Sequence, residues 1–151
     1  MINQALLVQL DMVNALIPSP DLIVGGQPTE DDLKRLAVAG VVHVVNLRPT
    51  SEKIDYDEAR LVHQLGMNYY VIPVTDIESF TRDAAKALLN ILAQNQACLV
   101  HCASGNRVGA LIALAAYWLE QTSAADAMTL GLQAGLTKLQ PQVADILSLE
   151  S

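Results

Sequence analysis

The chain has 151 residues, of which 52% are apolar and 17% charged, and its formal net charge is −7. That length holds one domain with a full core and is too short for two. An acidic surface with nine scattered Lys and Arg excludes nucleic-acid binding as a function class, and the absence of any run of about 18 apolar residues excludes a membrane span.

The first stretch, MINQALLVQLDMVNALIPSP, has no positive start and carries Asp11 inside its apolar part. It reads as an amphipathic helix over 1–17, ahead of Pro18 and Pro20, and not as a signal peptide. A core over 22–151 follows, in a single domain. A cytoplasmic location is expected on that reading, with the periplasm left open should a leader precede the sequence; the oligomeric state is not legible.

Leu22–Val24 reads as a short strand ending at Gly25-Gly26, and Gln27-Pro28 as a turn. Thr29 is placed to cap a helix running to Ala39, with Glu30, Asp31 and Asp32 in its positive first turn and Gly40 at its end. Val41–Leu47 is an apolar strand closed by Pro49; Asp55–Leu65 is helical and stops at Gly66; Asn68–Pro73 is a strand. Thr81 caps a helix through Asn95, and Ala97–His101 is a buried strand. Arg107–Leu119 is a helix rich in Ala and Leu. Ser123 opens another, stopped by Gly135, and Thr137-Lys-Leu-Gln140 fits a capping box for the last. Strands alternating with helices predict an α/β fold with a central, mostly parallel sheet of four or five strands flanked by helices. Nothing strand-like follows His101, so the C-terminal part is helical.

The chemistry concentrates in LVHCASGNRVG, residues 99–109. A buried strand delivers His101 and Cys102 to its carboxyl end, where open α/β sheets bind ligands. Ala103, Ser104, Gly105 and Asn106 are small or tolerate unusual backbone angles, and a helix then begins. Consecutive N–H groups at such a helix start favour an anion, and the same field favours a thiolate nucleophile at Cys102. The guanidinium of Arg107 can hold two oxygens of a phosphate or sulfate. His101 is expected to orient the loop and Cys98 to be plain core. Four strand steps of about 3.3 Å set the two cysteines about 13 Å apart, beyond disulfide reach. No zinc-type spacing exists, and neither metal nor cofactor is expected. These residues alone permit a phosphatase, a sulfurtransferase or a non-catalytic anion-binding module.

His-Cys-x-x-Gly followed by an arginine resembles the loop of the protein-tyrosine and dual-specificity phosphatases, one residue shorter between Cys102 and Arg107. The six-residue form also resembles the rhodanese sulfurtransferases. GGQPTEDDLKRLAVAGVVHVVNLRP, MNYYVIPV, LVHCASGNR and LGLQAGLT, in that order, resemble the beta-lactamase-hydrolase-like bacterial phosphatases, a distant branch of the dual-specificity phosphatase fold. That resemblance implies such a fold, a phosphorylated protein or small molecule as substrate, and metal-free hydrolysis of phosphate monoesters through a phosphocysteine. Cys102 would attack phosphorus. His101 would belong to the binding loop, the N–H groups of Ala103, Ser104, Gly105, Asn106 and Arg107 would hold the oxygens, and Arg107 would clamp the transition state. Asp76, in VIPVTDIESF, would be the general acid, with Glu78 as runner-up and a merely solvated carboxylate as the alternative. Val108 stands where the relatives carry a hydroxyl that helps the thiolate leave, which predicts a slow second step unless Ser104 substitutes. The rhodanese-like alternative would place a persulfide on Cys102. Arg48, at the end of a strand, is expected to pair structurally, and His43 and His63 to be structural.

Overall fold

The computed structural model describes residues 2–150, with side chains through 148; Met1 and Ser151 lie outside the described residues. Five short strands make one sheet: β1 (Leu16–Ser19), β2 (Leu22–Gly25), β3 (His43–Asn46), β4 (Asn68–Val71) and β5 (Cys98–His101). Their spatial order is β1-β2-β5-β3-β4, so the last strand in sequence takes the central position. β2, β5, β3 and β4 run parallel, and β1 pairs antiparallel with β2 at one edge. The three inner strands are buried on both faces, as a parallel sheet covered by helices requires.

Alternation along each strand splits the core in two. Val24, Val45, Val100 and Cys98 face helices α4 (Arg82–Leu92), α5 (Asn106–Leu119), α6 (Ala124–Gln133) and α7 (Gln140–Glu150). Ile23, Val44 and Leu99 face α2 (Glu30–Val38), α3 (Glu58–Gln64), Leu6 and Met12. Several helix starts are those the sequence marks. Thr29 and Asp32 form a reciprocal capping box on α2, and Thr81 and Ser123 cap α4 and α6. Small residues on α5 let the helical layer close tightly: a Cβ on Gly109 would lie 2.2 Å from the Leu136 nitrogen and 2.6 Å from the Gly131 carbonyl.

Two local expectations are corrected. The 1–17 segment is not one helix. Helix α1 covers only Gln4–Leu7, Asn14 adopts a left-handed φ of 58°, and residues 16–19 form strand β1. An isolated short helix is marginal, whereas the open edge of β2 offers unpaired backbone groups, which Leu16 and Ser19 meet opposite Val24 and Leu22. Leu6 and Met12 still reach the core, and the Asp11 N–H donates to buried Asp32 (2.8 Å), tying this segment to α2. The second correction concerns Thr137 and Gln140. The first turn before α7 is held by the Asn106 side-chain oxygen, which accepts from the Thr137 and Leu139 N–H groups at 3.0 Å each.

The parallel register sets Gly25, His101 and Asn46 side by side at the carboxyl end of the sheet. Beyond them the chain continues the pairing: Leu47 N–H donates to His101 O and Val74 N–H to Leu47 O. This brings Gln27, Arg48, Val74 and the 102–107 loop to one place.

Candidate active site

Cys102 is fully buried at the end of β5, and its N–H donates to Gly25 O (3.2 Å). The next three carbonyls of the loop are all taken on its outer side. Cys102 O faces His101 Nδ1 (3.2 Å), Ala103 O accepts from Gln27 N–H (3.1 Å), and Ser104 O accepts from Asn14 Nδ2 (2.7 Å). In a trans peptide the N–H points opposite its carbonyl. Carbonyls pinned outward at 102, 103 and 104 therefore turn the N–H groups of Ala103, Ser104 and Gly105 inward. The last of these donates to Cys102 Sγ at 3.1 Å. Gly105, the residue before α5, has a φ of 95°, which only glycine adopts without strain. The first N–H groups of α5 have no partner within the helix and lie at its positive end.

Arg107 lies in the first turn of α5 and is held from two sides. Its Nη1 and Nη2 donate to the two oxygens of Glu52 at 2.8 Å each, and Nη1 also donates to Val74 O (2.9 Å). Glu52 occupies the end of the planar fork and Val74 one flank. The remaining flank, Nε–H with the second Nη2–H, is the edge that fits two oxygens of an oxyanion. The hydrogen bond to Glu52 raises the Arg107 pKa, against its partial burial, and the Cys102 sulfur adds to the rise. The same bond holds the Glu52 carboxyl below the ordinary carboxylate range.

A second carboxylate serves the other end of the loop. Glu58 Oε2 lies 2.6 Å from His101 Nε2, and both side chains are buried. Glu58 Oε1 accepts from Gln27 Nε2 (2.7 Å), and Arg48 Nη1 lies 3.9 Å away. Burial pushes the Glu58 carboxyl up, but the His101 hydrogen bond and charge, with Gln27 and Arg48, outweigh it and hold the carboxyl low. Arg48 is itself buried; it donates to Gln27 Oε1 (2.7 Å) and to the Glu52 carbonyl. The structure thus gives Arg48 the pairing role expected of it.

His101, Cys102, Gly105 and Arg107 come together. Asn106 does so only through its backbone, since its side chain is turned to Thr137 and Leu139. Ala103 and Ser104 are exposed on the loop's crest. Asp76 precedes a 3-10 turn, Ile77–Ser79, with its carboxylate exposed and without a capping bond. It stands two residues beyond Val74, which touches Arg107 directly. Glu78 is also exposed. Val108 is fully buried among the α5 core residues. Cys98 is core: burial pushes its thiol up to about 12. His43 is structural, bonded to Gln96 (2.7 Å). Among the described residues, no three His, Cys, Asp or Glu side chains are grouped to hold a metal ion, and no helix is long and apolar enough to cross a membrane.

Sequence reasoning missed Glu52, Glu58 and Asn14. The signal for the carboxylates was present in Arg48, since a buried guanidinium at a strand end requires an acidic partner.

Residues 21–124 match the family described as Tc-R-P, polymorphic toxin system, DSP-PTPase phosphatase. The chain belongs to this family. No curated protein matches this DSP-PTPase. Among solved structures it is similar to a DUF442 protein of Shewanella putrefaciens CN-32 described as a candidate phosphatase. Identity there is 27%, over 93% of this chain and 94% of that one, with a TM-score of 0.68. Tk-PTP in its active form shares 18% identity over 91% of this chain and 97% of its own, with a TM-score of 0.69. PTPMT1 in complex with PI(5)P shares 15% identity over 90% and 95%, with a TM-score of 0.65. The last two show the fold alone: this DSP-PTPase has the dual-specificity phosphatase architecture expected from its sequence. The phosphatase description of this family agrees with the enzyme class expected from the sequence, a cysteine-based phosphatase.

Proposed function

We propose that this phosphatase hydrolyses phosphate monoesters through a phosphocysteine on Cys102. The observation that carries the reading is the inward turn of the loop amides around Sγ, with Gly105 N–H at 3.1 Å and the open flank of Arg107 beside them. A thiolate at Cys102 attacks phosphorus, an S–P bond forms and the P–O bond to the leaving group breaks. Asp76 donates its proton to the departing oxygen. It then takes a proton from a water whose oxygen attacks phosphorus, releasing inorganic phosphate and the thiolate. The non-bridging oxygens are held throughout by the N–H groups of residues 103–107 and by Arg107, which meet the charge that develops there.

No step calls on a metal or cofactor. The substrate is a phosphorylated protein or small molecule; a lipid head group falls within that class, as the phosphoinositide bound to PTPMT1 does. Val108 supplies no hydroxyl to the departing thiolate, so breakdown of the phosphocysteine is the slow step in this scheme. The protein is proposed to act in the cytoplasm as a single domain.

The test is para-nitrophenyl phosphate turnover in the presence of EDTA, with Cys102→Ser as control. Activity is expected to survive the chelator and to vanish in the variant. Rapid quenching of Asp76→Asn is expected to trap a phosphoryl adduct on the peptide holding Cys102. Wild-type protein without turnover, or a Cys102→Ser variant as active as wild type, would overturn the reading.

A further inference from the structure

Of the three outward bonds that shape the loop, two lead to one buried unit. Gln27 holds the Ala103 carbonyl with its backbone N–H and Glu58 with its side chain. Glu58 holds His101, and His101 holds the Cys102 carbonyl. The protonation of this unit follows from its partners. A carbonyl oxygen only accepts, so His101 Nδ1 carries a proton toward Cys102 O. The carboxylate of Glu58 already accepts from Gln27, lies near Arg48, and stands 2.6 Å from His101 Nε2, a separation typical of a charge-assisted bond. The carboxylate too accepts, so both ring nitrogens face acceptors, an arrangement that an imidazolium satisfies and a neutral ring does not.

We propose that Glu58 is a positioning residue for the phosphatase reaction, holding His101 as an imidazolium whose Nδ1–H fixes the Cys102 carbonyl and thereby the inward turn of the loop amides. The inference rests on Cys102 being the nucleophile. The consequences are geometric and electrostatic. Loss of the carboxylate frees the ring to become neutral with its proton on either nitrogen, and one of the two tautomers presents a lone pair to Cys102 O and repels it. The first inward N–H, that of Ala103, then loses its fixed direction. The buried cation one residue from the sulfur also favours negative charge on the loop, where the transferred phosphoryl gathers it. The charged and titratable groups facing the pair are Gln27-linked Arg48 and Tyr56 on the Glu58 side, and Cys102 with Arg107 on the loop side. Tyr56 donates to Pro28 O (2.7 Å) and so does not compete for the ring.

The test uses the full chain. Imidazole nitrogen NMR on the wild type, with His43→Gln and His63→Gln used to assign the three histidines, is expected to show both nitrogens of His101 protonated at neutral pH. A neutral tautomer there would overturn the proposal, whatever any variant does. In Glu58→Gln the Nε2 resonance of His101 is expected to move, since the carboxylate it faces is gone. In the same variant kcat on para-nitrophenyl phosphate should fall about ten- to a hundred-fold with KM nearly unchanged, the size of one charge-assisted hydrogen bond. Wild-type kcat in a folded Glu58→Gln, or a loss confined to KM, would also overturn it. Cys102→Ser keeps the two readings apart: it should be inactive yet retain the imidazolium signature. An active Cys102→Ser would remove the nucleophile, and with it the catalytic part of this inference, while leaving the measured protonation state as it is.

Discussion

Cys98 opens β5 and Cys102 follows its last residue, four residues on, and both are buried and unbridged. Their surroundings differ in kind. Cys98 Sγ finds only the Leu99 carbonyl, at 3.6 Å, and sits among aliphatic side chains that raise its thiol pKa to about 12. Cys102 Sγ receives the Gly105 N–H and lies beside a guanidinium. Burial without donors makes a cysteine inert; burial with inward donors makes an anion site. The difference is produced by one glycine with a left-handed backbone and by residues that hold the loop from outside.

The comparison can be broken most severely at Arg107. Lysine keeps the charge but not the planar fork, so Arg107→Lys should lower kcat/KM by about a hundred- to a thousand-fold, read with para-nitrophenyl phosphate. If lysine served nearly as well, charge alone and not the two-oxygen edge would distinguish the Cys102 site.

Glu52 comes next. Glu52→Gln leaves Arg107 in place but weakens the pair that aims it, and should lower kcat/KM about tenfold. Its pH signature has a definite sign. The Glu52 and Glu58 carboxyls are both held below the ordinary value of 4.5 in the folded protein. Their contribution to stability is therefore complete above about pH 4.5 and is lost as pH falls through their lower folded values. Thermal melts should give a level Tm down to about pH 4.5 and a decline below it, shallower in Glu58→Gln. A melt that kept the wild-type slope in that variant would show that the buried pair is not what acid breaks.

The smallest effect belongs to Cys98. Cys98→Ala removes a core sulfur and should cost about 1 kcal/mol in stability, measured by urea unfolding, with kcat within about two-fold of wild type. A large loss of activity would mean that the two cysteines are coupled, contrary to their surroundings.

Much of this was legible in the sequence because it is written locally. Thr29, Thr81 and Ser123 cap α2, α4 and α6 within three residues of themselves, and Gly40, Gly66 and Gly135 take a positive φ just after α2, α3 and α6. The order of apolar runs gave the parallel sheet, and the small residues from Ala103 to Asn106 gave the loop. The N-terminal stretch misled because its apolar residues fit a helix when read alone. Their actual partners are the core beneath α2 and the free edge of β2. Thr137 misled in the same way: its local capping pattern was complete, but Asn106, 31 residues earlier, supplied the acceptor.

By itself the sequence determined the chemistry on offer: a thiol at a strand end, a glycine able to take unusual backbone angles, an arginine in the first helical turn, and an α/β frame that puts them at the carboxyl edge of a sheet. Only the tertiary structure decided how that chemistry is aimed. Asn14 reaches Ser104 across 90 positions, Glu52 reaches Arg107 across 55 and Glu58 reaches His101 across 43. In sequence these are ordinary polar residues in solvated stretches. They acquire their roles because β5 inserts between β2 and β3, bringing three distant loops to one edge, where buried carbonyls and charges must each find a partner.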